Sequence, residues 1–468
     1  MPKLRSARLL VAGILATTLT LPATPAFAGT YAPAPGGSGA GDPYFPTLGN
    51  SGYDALRYDL TLRYDPTPRA LQATAVIALR ATQSLTSFNL DLRDLTVSAV
   101  TVNGVAADFR QADGELVVTP RKAVAKGSTV KVSVTYGGTT GQPVDNTDSL
   151  FGWVSFDDGA LVTSEAYGAP TWYPVNDSPA DKALYSFAVT VPEGKVAVAN
   201  GLPEGRPSTR DGWTTYRWSE SSPMASYLAT VDIGDYDLRW SRAREGLPIL
   251  DAVDRDGTGE LRESAEASLP RQPEIIAFFE SRFGRYPFDS AGAIVDDDDL
   301  GYALETQTRP VYAGFIDDAT VAHEIAHQWY GNSVTPRLWK DIWLNEGFAT
   351  YAEWIWNEHD GVASVDEQAQ AVRDVPADDP VWTVAPADPG PAGLYDSAVY
   401  FRGALALVEL EEVIGERAFA KLLRAWPQKY AYSNATTEDL LALAERVSGR
   451  QLDEFFRVWL YTPEKPAL

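Results

Sequence analysis

Cysteine is absent from all 468 residues, methionine occurs twice and histidine three times. Without cysteine there is no disulfide framework and no lipid anchor through a thiol, so the fold must rest on packed cores. A chain of this length supplies those for two or three domains. Positive charge is scarce as well: 39 Lys and Arg stand against 63 Asp and Glu, a net charge of -24. So acidic a chain is a poor partner for nucleic acid or anionic membrane, and neither is expected to bind it. Long apolar runs are missing too. The run from Leu9 to Leu21 is short and rich in Thr; Lys3, Arg5 and Arg8 precede it and Ala26-Phe27-Ala28 follow. That is the layout of a secretory signal cut after Ala28, and no later stretch reaches the roughly 20 apolar residues of a membrane span. An exported protein without a membrane anchor is expected, its net charge moving from -24 to -27 as the three signal cations leave.

What is present divides the rest of the chain. Residues 29 to 52, "GTYAPAPGGSGAGDPYFPTLGNSG", read as a flexible Gly/Pro leader. From 53 the period becomes two: Leu56, Tyr58, Leu60, Leu62 and Tyr64 alternate with polar residues, and Val130, Val132, Val134 and Tyr136 repeat the pattern. Asn103-Gly104 is a hairpin signal. Residues 53 to 240 are therefore expected to form a β-sandwich-like domain. Beyond it, helical periods dominate 241 to 468, interrupted by one strand-like passage, "GAIVDDDDLGYALETQTRPVY". A few strands followed by many helices predicts an α+β second domain.

Two of the three histidines sit in "VAHEIAHQWYG", where His323 and His327 are four residues apart with Glu324 between them. On a helix that spacing puts both imidazoles on one face, so they can aim at one point. Glu324, about 100 degrees around from His323, flanks that point. Zinc takes nitrogen and oxygen ligands in tetrahedral array and, in catalytic sites, keeps one position for water. A third ligand comes from the next helix, "DIWLNEGFATY", where Glu346 falls 19 residues after His327. One Zn2+ per chain on His323, His327 and Glu346 is the expectation. His359 has no partner histidine and is read as a solvated or capping residue at a helix end.

"HEIAH" followed by "NEGFA" resembles the zinc aminopeptidases of the alanyl aminopeptidase and leukotriene-hydrolysing type, the gluzincins of peptidase family M1. The resemblance runs from about residue 53 to 468 and implies a thermolysin-like, mostly helical catalytic domain. It implies the same three zinc ligands, with Glu324 as general base. The family's Gly-Ala-Met-Glu-Asn strand looks like "YALET", residues 302 to 306, so Glu305 corresponds to the glutamate that holds a substrate's free α-amine, with Ala303 and Leu304 lining the substrate. A second anionic contact maps onto Glu165, counted back from Pro174. The family's "Tyr-Glu-Lys-Gly" looks like "YFRG", which makes Tyr400 the phenol that supports the oxyanion, with Tyr395 as its competitor. The implied partner is a peptide with a free N-terminal amine; the oligomeric state stays open.

Departures from the family pattern carry their own expectations. Tyr302 replaces Gly and is expected to crowd or reshape the pocket for the first side chain. Leu304 stands for Met, Thr306 for Asn, and Arg402 for Lys. The four aspartates Asp296 to Asp299 read as a solvated loop, with a preference for basic peptides as the functional alternative. Two rival readings stand beside the aminopeptidase: a thermolysin-like endopeptidase, which needs neither Glu165 nor Glu305, and a catalytically silent exported binding protein on the same scaffold.

Overall fold

The computed structural model describes residues 32–145, 149–257 and 259–467. The expected signal segment and its cleavage site lie outside the described residues. Among those described, no helix is long and apolar enough to cross a membrane.

The first half is built of strands, in the order that period-two sequence dictates. Tyr53–Asp65 pairs antiparallel with Ala70–Ala81, and that strand with Thr129–Thr139, at the centre of a nine-stranded sheet. Tyr58, Leu60, Leu62 and Tyr64 point inward as the alternation requires, each at most 1% exposed. Leu56 does not. A bulge between Ala55 and Arg57 shifts the register, so Tyr53 and Ala55 take the inward positions instead. Asn103 and Gly104 have φ of 50° and 75°, the doubly left-handed turn of a two-residue hairpin, and join paired Val102 and Val105.

Two four-stranded sheets complete this half, one containing Leu85–Asp91 and the other containing Gly152–Ser155 and Ala160–Thr163. Tyr53 meets Phe88 at 6.0 Å between ring centres, and Tyr64 meets Trp153 at 5.0 Å, so aromatic pairs fill the space between sheets. Each fully buried Leu, Ile or Val there contributes roughly 1.5–3 kcal/mol.

The segment before Tyr53 is not the flexible leader its composition suggests. Ala34 and Pro35 pair with Leu85 and Ser87, and the buried Asp42 carboxylate accepts a hydrogen bond from the Trp339 amide at 2.8 Å. Gly and Pro report backbone freedom, but docking depends on a partner far along the chain.

The second half is helical around a five-stranded sheet, Tyr236–Arg242, Pro248–Asp254, Ala291–Asp296, Val311–Ala313 and Ala303–Leu304 in spatial order. A boundary at 240 falls inside its first strand, which pairs along its whole length with Pro248–Asp254. The structural division lies ahead of Tyr236. Ala303–Leu304 is the last strand of this sheet, beside the helix Asp318–His327, and the helix Trp343–His359 packs against that one.

Candidate metal and substrate site

Asp317 starts the motif helix: its carboxylate accepts from the Thr320 amide at 2.7 Å, fixing where the helical phase begins. From that start His323 and His327 share a face, ring centres 4.8 Å apart. Glu346 enters from the first turn of the next helix. Its Oε2 lies 3.3 Å from His323 Nε2 and 3.4 Å from His327 Nε2.

Those separations test a metal against the donors. Ligand bonds of about 2.0–2.1 Å in a tetrahedron separate neighbouring ligand atoms by roughly 3.3 Å. The three donors therefore already stand where tetrahedral zinc needs them. The other ring nitrogens are engaged elsewhere: His327 Nδ1 faces the Tyr330 carbonyl at 3.1 Å, and His323 Nδ1 faces Glu353 Oε2 at 3.4 Å. A proton on each Nδ1 leaves each Nε2 lone pair free for a metal.

Glutamates surround this point. Glu165, Glu305, Glu324, Glu346 and Glu353 all line one cavity of about 690 Å³. Among the described residues, Glu165 Oε1, Glu305 Oε1 and Glu324 Oε2 are buried and find no hydrogen-bond partner. Burial pushes Glu324 up to about 7, against the pull of the two imidazoles. It raises Glu305 and, with Glu305 itself beside it, Glu165 far more. Glu346 is also raised by burial, but the imidazoles overcome this and hold it down at about 2. Five carboxylates with two imidazoles make a surplus of negative charge that a divalent cation and a substrate ammonium would each reduce.

Glu165 and Glu305 come from different halves and meet here. One carboxylate oxygen from each, together with one from Glu346, lies within 4.8 Å of the others. The Glu305 carbonyl is gripped by Asn332 Nδ2 at 2.6 Å and Gln328 Nε2 at 3.3 Å, which fixes the strand against the motif helix. Ala303 and Leu304, just before it, form the end strand of the sheet and line the same cavity.

Tyr400 sits on a single wide turn, Ala398–Arg402, running into the helix Gly403–Ile414. Gly347 and Gly403 let that segment cross the Glu346 helix closely: a Cβ on Gly347 would lie 3.0 Å from Gly403 backbone. The Tyr400 ring lies nearly parallel to His323, centres 6.2 Å apart at 21°. Burial and the surrounding glutamates keep its phenol protonated, hence a donor. Tyr395 lines the cavity too, but is 45% exposed.

The nine sequence-predicted residues therefore meet in one cavity: His323, Glu324, His327, Glu346, Glu305, Ala303, Leu304, Glu165 and Tyr400. Three features fall elsewhere. Asp296 to Asp299 form a turn behind the strand: Asp296 is buried and accepts from the Tyr236 hydroxyl, and Asp299 accepts from the Gly301 amide at 2.7 Å. His359 ends its helix and packs on Phe278 and Trp356, ring centres 4.5 and 5.4 Å away. Arg402 does not face the cavity but is a buried clamp, donating to the carbonyls of Trp382, Val458, Trp459 and Thr462. Tyr302 lines the same cavity, and its hydroxyl reaches Thr163 and Leu150.

Glu353 was missed by the sequence reading. It lies seven residues, two helical turns, after Glu346 on the same face, and that period was the available signal.

Comparison with known proteins agrees with this geometry. Residues 54–228 match the Peptidase M1 N-terminal domain and residues 316–459 the Peptidase family M1 domain, together about two thirds of the chain. "Aminopeptidase M1-C" of Oryza sativa subsp. japonica is 28% identical over 64% of this chain. "Glutamyl aminopeptidase" of Sus scrofa is 27% identical over 66%. The chain spans only 36% and 35% of the length of these two relatives. The crystal structure of an M1 zinc metallopeptidase from Deinococcus radiodurans is 28% identical, with a TM-score of 0.83 over 92% of this chain and 98% of that one. A mutant of that protein bound to Tyr-Ser-Ala substrate superposes with a TM-score of 0.84 at 27% identity.

Proposed function

Because the chain belongs to peptidase family M1, whose cofactor is zinc, we propose that it is an exported aminopeptidase that hydrolyses the first peptide bond of peptides with a free N-terminal amine. The carrying observation is that the three donors at tetrahedral spacing share a cavity with Glu165, Glu305 and Glu324, whose buried oxygens lack partners.

In this reading His323, His327 and Glu346 hold the zinc. When bound, zinc acidifies water and polarises a carbonyl. Glu324, poised near neutrality by burial, takes a proton from the attacking water and returns it to the departing amine. The Tyr400 hydroxyl donates to the oxygen on which negative charge develops; such donors are worth roughly 2.7–4 kcal/mol. Glu165 and Glu305 clamp the α-ammonium and so fix the distance from the substrate's first residue to the reacting carbonyl. An extended substrate can lie along Ala303–Leu304, the end strand of its sheet. Export rests on the arrangement of the first 28 residues.

The test is a panel of aminoacyl reporter substrates, free and N-acetylated, with a chelator and with zinc restored. Cleavage of free substrates alone, lost with the chelator and regained with zinc, is the expected result. Cleavage of blocked peptides at internal bonds overturns it in favour of an endopeptidase, and bound zinc without cleavage in favour of a binding protein.

A further inference from the structure

Tyr302 stands three residues before Glu305, where the resemblance leads one to expect glycine, and Thr163 stands two residues before Glu165. The Tyr302 side chain is half-buried in the cavity wall, and its hydroxyl leaves the catalytic half altogether. It donates its one proton to the Leu150 carbonyl at 2.6 Å. Its oxygen accepts from Thr163 Oγ1 at 2.8 Å. The direction of the second bond follows from the first, since a phenol has a single proton to give. Burial pushes the phenol up to about 12, so that proton stays in place.

Each segment that carries a carboxylate of the amine clamp is otherwise held within its own half. The Glu305 carbonyl is gripped by Asn332 and Gln328 of the catalytic half. On the other side, the Ser164 carbonyl accepts from the Gly168 amide at 2.8 Å, and Ser164 Oγ from Trp172 Nε1 at 3.3 Å. Bonds such as Asn200 Nδ2 to the Gln307 carbonyl, 2.8 Å, also join the halves. Tyr302 does so in the wall of the cavity, between the two segments that carry the glutamates.

We propose that Tyr302 is a positioning residue for the substrate amine: its bridge to Thr163 and Leu150 holds Glu165 and Glu305 at the separation that grips a primary ammonium. This rests on the aminopeptidase reading above. A side chain in place of glycine thereby becomes a strut across the specificity site instead of an obstruction in it. Losing the hydroxyl leaves both glutamates present but less firmly spaced, which weakens amine binding and spares the proton transfers at Glu324.

The experiment compares wild type, Tyr302→Phe, Thr163→Val and the double variant, each loaded with zinc. Two inhibitors are used, phenylalaninamide and 3-phenylpropanamide, which differ only in the amine. Wild type should favour the amine-bearing compound. Thr163→Val should lose about tenfold of that preference, the order of one hydrogen bond, Tyr302→Phe, which removes both bonds, at least as much, and the double variant no more than Tyr302→Phe. KM for free aminoacyl substrates should rise about as much, with kcat falling less than threefold. Equal weakening of both inhibitors, loss confined to kcat, or fully additive variants would overturn the strut, as would unchanged preference. If wild type itself does not distinguish the two inhibitors, the amine clamp fails and takes the strut with it. Thr163→Val touches only the far end of the bridge, so a folding defect in Tyr302→Phe does not remove the test.

Discussion

Two clusters of buried carboxylates, one inside the β-rich half and one where the halves meet, resolve the same electrostatic problem in opposite ways. In the β-rich half Asp91 and Glu115 are directly opposite one another on paired strands, with buried Asp177 donating its amide to Asp91 at 2.9 Å. Burial raises all three, Asp91 to about 7 and Glu115 and Asp177 to about 8. Burial favours their protonated forms, and the Arg93 guanidinium, which pulls Asp177 the other way, does not overcome it. Where the halves meet, Glu165 of the β-rich half and Glu305, Glu324 and Glu346 of the other surround two imidazoles, and three donor atoms converge at tetrahedral spacing. Burial of acids alone marks no site; donors aimed at one point, with orphaned oxygens around them, do.

The comparison breaks most readily at Glu324. Glu324→Gln keeps size and burial but removes the proposed base, so turnover should fall on the order of 10³-fold while bound zinc stays at one per chain. Steady-state assay and metal analysis of one preparation check both. Turnover near wild type would take Glu324 out of the mechanism. Next in size is Tyr400→Phe, expected to lower kcat about 10²-fold with little change in KM, as loss of an oxyanion donor does. An effect confined to KM would make Tyr400 a binding residue, and an equal effect from Tyr395→Phe would revive its competitor.

How much of this could be read from the sequence depends on the distance over which each signal acts. The convergence of the three donors was legible, because His323 and His327 need only a helical period and Glu346 only the next helix. The Asn103-Gly104 turn was legible for the same local reason. The bulge that turns Leu56 outward was not, since it is fixed by the partner strand Ala70–Ala81. The docking of Asp42 on Trp339 joins residues 297 apart. Glu165 entered through family resemblance alone, because its partner Glu305 is 140 residues away in another half. For Tyr302 the sequence shows a side chain where glycine is usual, and so a crowded or reshaped pocket, but not that its hydroxyl finds Thr163 and Leu150.

A smaller effect sharpens the comparison inside the catalytic cluster. Its histidines are braced differently, His327 by the Tyr330 carbonyl and His323 by the Glu353 carboxylate. Glu353→Gln removes the charge behind one imidazole only. Zinc affinity measured by chelator competition should weaken about tenfold, and zinc-saturated turnover should change much less. Unchanged affinity would leave Glu353 as a neighbour without influence on the ligand.

The least effect belongs to the proton-neutralised cluster, and its sign follows from linkage. Asp91, Glu115 and Asp177 titrate higher folded than unfolded, so the folded state holds extra protons between about pH 4, where the unfolded groups titrate, and their raised values near 7 and 8. Their contribution to stability is complete below the unfolded range and is lost as pH rises through 7 to 8. The thermal midpoint should therefore fall by a few degrees between pH 6 and pH 9, at up to about 1.4 kcal/mol per pH unit for each proton released. Asp91→Asn removes one titrating group and relieves Glu115 of the like charge facing it, so the variant should show a shallower fall with the proposed aminopeptidase activity unchanged. A slope equal to wild type would mean that these acids share their protons with the unfolded chain, and that burial here costs less than the geometry requires.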